Sequence, residues 1–297
     1  MSKIIDLHIH TTVSDGFFTP KQIVDIAQKN GVSTIAISDH DTIDAYTNEL
    51  LEYAKSKNIE LIPAVEISTK TEKVGIHVLG YNYDLNNNEF KEFLYKTRNS
   101  RHIYLHDVSK KLEDLGYIIN TAELDKIDSV TKAHIALDIV KNELNKDILM
   151  KNFGHIPEKG EFIEAIMNEN CPAYVEKKTC SPREAAEMLR KAHGKVVLAH
   201  PVAYIHQDNL SEKDIVKIVN DMKPDGIEAN YLFVETNKNI IDESKKWNEF
   251  AQKYNLFVTV GSDFHNKDRY HPEIGFFNMN YRLTDKTIDE ILNNIRS

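Results

Sequence analysis

Residues 4–40 read IIDLHIHTTVSDGFFTPKQIVDIAQKNGVSTIAISDH, and their pattern decides the fold class. Ile4–His10 is an apolar run that reads as a strand. Thr19 is a hydroxyl cap ahead of Pro20, so a helix is predicted over Pro20–Lys29, closed by Gly31. Thr34–Asp39 is again rich in β-branched residues and reads as a second strand. Further along the chain, Ile43–Lys57 reads as a helix, and Leu61–Ile67 and Val74–Tyr83 as strands. This β-α-β-α-β rhythm predicts a mainly parallel sheet.

The rhythm changes near Leu85. From there to about Asn170 the pattern is helical and charged. Glu89–Leu115 spaces its apolar residues as a helix does, and Thr131–Leu144 reads as another helix. Alternation then resumes. Helices are predicted at Pro182–Ala192, Glu212–Met222, Glu235–Tyr254 and Asp285–Ile295. Strands are predicted at Val196–His200, Gly226–Asn230 and Phe257–Asp263. The expected organisation is an α/β barrel split by an all-α insertion, with 1–84 and 171–297 forming the barrel and 85–170 the insertion.

Composition narrows the function classes. Apolar content of 41% supports a sizeable core, and the formal net charge is −9. Such an acidic surface argues against binding duplex DNA, although divalent ions in a pocket would reverse the field locally. The only cysteines, Cys171 and Cys180, form no zinc pattern, and so few suggest a reducing compartment. No signal-peptide pattern and no membrane-length apolar run is present. A soluble cytoplasmic protein without a membrane partner is expected.

Side chains in a strand alternate faces, so His8 and His10 share one. Two imidazoles presented together suit a transition metal. Asp15 follows in a Ser-Asp-Gly turn, and later strand-like runs end in or carry His40, Glu66, His77, His200, Asp263 and His265. In a parallel barrel, the C-terminal strand ends converge on one face. Nine nitrogen and oxygen donors are too many for one ion and suit two or three, with Glu66 a natural bridge. Mixed imidazole and carboxylate donors favour zinc, manganese or iron. Without thiolates the set is not a closed structural zinc site.

The motifs DLHIHTTVSDG (Asp6–Gly16), SDHDT (Ser38–Thr42), VEIS around Glu66, IHVLGY (Ile76–Tyr81), LAHP (Leu198–Pro201) and GSDFH (Gly261–His265) resemble the polymerase and histidinol phosphatase (PHP) family along the whole chain. The resemblance implies a distorted (β/α)7 barrel with a polynuclear metal site of two or three divalent ions. One ion would take His8, His10, Glu66 and Asp263. A second would share Glu66 and add His77 and His200. A third would take Asp15, His40 and His265. His8, His10, Glu66, Asp263 and His265 are the implied catalytic set.

Within the family, the chain is most similar to the branch of 3′,5′-nucleoside bisphosphate phosphatases that also act as 5′-to-3′ exoribonucleases. By that likeness Lys132 and His134, in Thr131-Lys132-Ala133-His134, and Lys177 would contact substrate phosphate. Lys132 stands where the branch has arginine, which replaces a bidentate contact by a point charge. The branch's arginine after the His-Pro pair is absent from His200-Pro201-Val202-Ala203-Tyr204. Arg98, Arg101, Arg269 and His271 are weaker candidates for the pocket.

The implied activity is hydrolysis of a phosphate monoester of a small nucleotide-derived substrate by metal-activated hydroxide, with short single-stranded RNA as a further substrate. The alternatives within the class are a histidinol-phosphate phosphatase and a cyclic sugar phosphate phosphodiesterase. A non-catalytic metal-binding accessory module and a metal-dependent amide hydrolase lie outside it.

Overall fold

A computed structural model describes residues 3–127, 130–176, 179–235, 238–267, 272–279 and 283–297. Lys177, Arg269 and His271 lie outside the described residues. The described chain forms two compact units, one of residues 1–98 with 180–297 and one of residues 99–179.

The first unit is a barrel-like sheet. Its strands are β1 (Ile5–Ile9), β2 (Thr34–Ile37), β3 (Glu60–Lys70), β4 (Gly75–Tyr81), β5 (Lys195–Leu198) and β6 (Gly226–Asn230). A small hairpin, β7 (Leu232–Val234) with β8 (Ile240–Asp242), precedes β9 (Phe257–Val260). The seven-stranded order is β1-β2-β3-β4-β5-β6-β9. Beyond β9 the chain returns to β1 through an Ile9–Phe264 bridge and a 2.9 Å bond from the His10 amide to the Phe264 carbonyl, which nearly closes the barrel.

Local chemistry explains the first βαβ unit. Thr19 and Gln22 make a reciprocal capping box, Pro20 occupies the first turn, and the helix spans Pro20–Lys29 as the sequence predicts. Gly31 follows at φ 73°, a left-handed conformation that suits glycine. Ile23, Val24 and Ala27 on this helix pack with Ile9, Ile35 and Ile37 of β1 and β2. At the chain's end, Ile288, Ile291, Leu292 and Ile295 of helix Asp285–Arg296 pack with Ile5, Leu7, Ala64 and Val260.

The sheet is mainly parallel, as expected, and β4 is the exception, antiparallel to both β3 and β5. Only residues 71–74 join β3 to β4, far short of the dozen or so that a parallel crossover needs. As a result Glu66 and His77 lie inside strands, not at strand ends. The helix expected over Glu235–Tyr254 spans only Ser244–Lys253, since Ile240–Asp242 is β-branched at its start and pairs with Leu232–Val234. The helix expected over Ile43–Lys57 begins at Asn48, where Thr47 caps it.

The second unit contains helices and no strand among its described residues. Its core joins Leu105, Val108 and Leu112 of helix Ser100–Asp114 to Ile135 and Ile139 of helix Lys132–Lys141, with Leu149 and Phe162. The helix expected over Glu89–Leu115 is broken at Asn99. Its first part, Asn88–Arg98, buries Phe90 and Leu94 in the core of the first unit.

Candidate metal centre

The parity of β1 places His8 and His10 side by side, with their Nε2 atoms 3.1 Å apart and both rings fully buried. The following loop folds back tightly. The amides of Ser14 and Gly16 donate to the Thr11 carbonyl, and a Cβ on Gly16 would stand 2.5 Å from the His10 carbonyl. Asp39, at the end of β2, accepts 2.7 Å bonds from the Thr11 amide, the Thr11 hydroxyl and the Ser14 hydroxyl. These contacts carry Asp15 to His10, His40 and His265, at 3.5, 3.6 and 3.4 Å.

Glu66 is 1% exposed, and its two oxygens face different histidines. Oε1 is 2.9 Å from His77 Nδ1 and 3.0 Å from His200 Nε2. Oε2 is 3.2 Å from His10 Nε2, 3.2 Å from His40 Nδ1 and 3.4 Å from His8 Nε2. The reversal of β4 is what brings His77, near that strand's start, to the mouth formed by the ends of the other strands. Asp263 Oδ1 completes the group at 3.1 Å from His10 and 3.3 Å from His8, while Tyr231 donates to its other oxygen.

The donor atoms fall into three overlapping groups: His8, His10, Glu66 and Asp263; His10, Asp15, His40 and His265; and His40, Glu66 and His77. These groups hold eight of the nine residues singled out in the sequence, and the ninth, His200, stands outside them but reaches Glu66 Oε1. The structure differs from the implied partition in placing His40 beside Glu66 as well as beside Asp15, and His10 in two groups.

The atoms themselves fit cations. Buried Nδ1 atoms of His10, His40 and His77, and Asp263 Oδ1, make no hydrogen bond despite several contacts near 3 Å. Buried polar atoms are ordinarily paired, and lone pairs converging without donors mark an ion-binding cradle. The charge balance points the same way. Burial pushes the His10 ring towards neutrality, but the carboxylates of Asp263 and Glu66, at 3.1 and 3.2 Å, outweigh it and lift its pKa to about 10. Burial pushes Glu66 up, yet the charges of His77, His40 and His8 hold it well below the usual carboxylate range. His40 falls to about 3, through burial and the repulsion of His10 and His77, with Glu66 only partly opposing. So crowded a set of imidazoles cannot all hold protons, and divalent cations would take their place.

Residues that the sequence reading missed surround this set. Glu228 faces His8, Asp6 accepts from the amides of Ser262 and Gly275, and Asp41 accepts from the Ser68 amide. A lone acid inside a buried strand such as Gly226–Asn230 was the available signal for Glu228. Arg98 donates to the Val13 carbonyl and lies 3.9 Å from Asp44, tying the loop of Asp15 to that of His40. Lys132 and His134 belong to the helical unit. There Lys132 donates to the Met167 carbonyl and Asn168, and His134 completes a capping box with Thr131.

Gly261 shows how little room the site leaves. A Cβ there would stand 2.2 Å from His8 Cβ and 2.5 Å from Glu228 Oε1. Gly261→Ala is therefore expected to displace His8, costing about 1–3 kcal/mol of stability by overpacking and lowering metal content. Urea unfolding and metal analysis of the purified variant measure both.

The barrel, the reversed fourth strand and a histidine–carboxylate cluster at its mouth define a metal-dependent hydrolase. The PHP domain family matches residues 6–197, and the chain belongs to that family. It is a PHP-type metal-dependent phosphoesterase, a hydrolase.

A relative from Haemophilus influenzae, named 5′-3′ exoribonuclease, is 31% identical over 89% of this chain and 91% of its own. A 3′,5′-nucleoside bisphosphate phosphatase from Chromobacterium violaceum is 23% identical over 88% of this chain and 87% of its own. Among solved structures, a Bifidobacterium adolescentis chain described as a metal-dependent phosphoesterase superposes with a TM-score of 0.59 at 25% identity, covering 99% of this chain and 96% of that one. No helix among the described residues is long and apolar enough to cross a membrane.

Proposed function

We propose that the chain hydrolyses the 3′ phosphate ester of a nucleotide-derived substrate, either a 3′,5′-nucleoside bisphosphate or the 5′ end of a short single-stranded RNA. The observation that carries this reading is Glu66, whose two oxygens face separate histidine sets, an arrangement suited to bridging two cations. The similarity to an exoribonuclease and to a bisphosphate phosphatase supports it. The two substrates present one chemical unit, a ribonucleotide with phosphorus on both its 5′ and 3′ oxygens. Removing one nucleotide from a 5′ end breaks the same P–O3′ bond that the phosphatase reaction breaks.

His8, His10, Glu66 and Asp263 would hold one ion, His77 and His200 would join Glu66 at a second, and Asp15, His40 and His265 would form a third. Bound there, divalent zinc, manganese or iron supplies Lewis-acid polarisation of phosphorus and lowers the pKa of water. The oxygen of water forms the new bond to phosphorus, the P–O3′ bond breaks, and the ribose oxygen takes up a proton. The protein's share is to hold the donors rigid and dry, which the burial of His8, His10 and Glu66 supports. Lys132, His134 and Lys177 are the proposed phosphate contacts. Lys132 has two acceptors within its own unit and a third ammonium hydrogen for a phosphate oxygen.

The test is product release by manganese-loaded protein from 3′,5′-adenosine bisphosphate, a 5′-phosphorylated RNA oligomer, histidinol phosphate and a ribose 1,2-cyclic phosphate. Phosphate from the bisphosphate and 5′-mononucleotides from the RNA are expected. Preference for histidinol phosphate or the cyclic ester would overturn the nucleotide reading. The cyclic ester matters because a 23% identical relative from Eggerthella lenta is named a phosphoribosyl 1,2-cyclic phosphate 1,2-diphosphodiesterase.

A further inference from the structure

Glu228 is the one acidic residue of β6, and it is 1% exposed. No lysine or arginine pairs with it among the described residues. A carboxylate buried without a cationic side chain is costly to keep, so its partners must account for it. One oxygen lies 3.0 Å from His8 Nδ1. The other is 3.2 Å from the same nitrogen and accepts a 2.9 Å bond from the backbone N–H of His200. One side chain therefore grips two members of the metal cluster that come from different strands.

Each grip has a chemical consequence. A carboxylate at Nδ1 requires the proton there, which leaves the Nε2 lone pair of His8 facing His10, Glu66 and Asp263. At His200 the backbone stands at φ 21° and ψ 60°, outside the ordinary regions, and Pro201 follows it. Such a conformation persists only where neighbours hold it, and the bond from its N–H to Glu228 is one such hold. Gly261 leaves the space: any side chain there would enter the slot that His8 and Glu228 share.

We propose that Glu228 is a positioning residue of the metal centre, fixing His8 in its Nδ1–H form and His200 in its strained backbone so that both present Nε2 to the ions. It touches neither ions nor substrate. The inference rests on His8 and His200 being ligands, as proposed above, and is independent of which phosphate ester is cleaved.

Glu228→Gln discriminates this role from mere packing, because the shape is kept. If the amide oxygen accepts from the His200 N–H, the NH2 group faces His8 Nδ1 and donates to it. That drives the His8 proton to Nε2, where it opposes a cation. The experiment titrates metal-free wild type, Glu228→Gln and Glu228→Asp with zinc and with manganese, and counts bound ions by mass spectrometry. It adds 15N NMR of the His8 ring in the zinc-loaded protein.

Glu228→Gln is expected to weaken the tightest binding step about 10- to 100-fold, the usual cost of losing an outer carboxylate partner. Its His8 Nδ1–H signal should be lost. Glu228→Asp keeps the charge but reaches only one of the two partners, so an intermediate loss is expected. A Glu228→Gln isotherm that overlays wild type overturns the proposal. Should Glu228→Gln not fold, an Asp variant that loses stability without losing metal affinity overturns it equally. No substrate enters the test, so a wrong assignment of the activity leaves its outcome intact.

Discussion

His10→Ala and Asp263→Ala will each abolish phosphoester hydrolysis while leaving a folded protein. His10 belongs to two of the three donor groups, with Nε2 at 3.1 Å from Asp263 and Nδ1 at 3.5 Å from Asp15, so its loss opens both. Asp263 supplies the oxygen that joins His8 to His10. Removing a residue proposed to ligate the ions should exceed the ~100-fold effect of removing an outer partner. The fold should survive, because the barrel's apolar clusters include neither residue and metal-free pairs among the remaining groups persist. The measurement is turnover of the best substrate by metal-saturated variants, beside circular dichroism. Turnover near that of the wild type in either variant, with metal content restored, would sink the assignment of the cluster as the reaction centre.

The sequence made the donor set legible because donors are short-range signals. His-x-His in a strand, Asp before Gly, and His before Pro can each be read without knowing what lies across the barrel. Strand direction could not be read from apolar runs, since a reversed strand and a parallel one bury the same residues. The four-residue link between Lys70 and Gly75 held that information, in its length and not in its composition. Glu228 stayed hidden for the opposite reason. A lone acid in a buried strand signals that a partner is needed, but the sequence does not show that the partner is His8, 220 positions away on a strand not paired with β6. The hairpin at Leu232–Asp242 was lost because its polar turn and the following charged residues continue a helical pattern. The closeness of His40 to Glu66 also escaped the motifs. His40 reaches Glu66 only because a bridge between the two residues sets that distance in space.

Metal affinity will rise steeply with pH, and metal binding will release protons. In the metal-free protein, the carboxylates of Asp263 and Glu66 lift His10 to about 10 against the pull of burial, and Glu228, Asp263 and Glu66 likewise raise His8 well above its ordinary value. At pH 7 both rings therefore carry protons that a cation must displace. Each proton released makes the apparent association constant change about tenfold per pH unit while the pH lies below the raised values.

The stability of the metal-free protein follows the opposite sign. A group whose folded pKa is raised contributes fully below its unfolded value, near 6.5 for histidine, and the contribution is lost as the pH climbs towards 10. Glu66 and Asp263, both depressed by the surrounding histidines, contribute above the ordinary carboxylate range and lose this only in strong acid. Chelator-treated protein should thus be stabilised by these pairs from about pH 4 to 6.5 and weaken above, whereas the metal-loaded protein should gain on it as pH rises. Calorimetric titration with zinc in buffers of different ionisation enthalpy counts the protons. Thermal melts with and without chelator at pH 6 and pH 9 follow the stability. A proton count of zero at pH 7, or parallel melting curves at the two pH values, would mean that the histidines stand neutral without metal and that cations enter a cluster already vacated by protons.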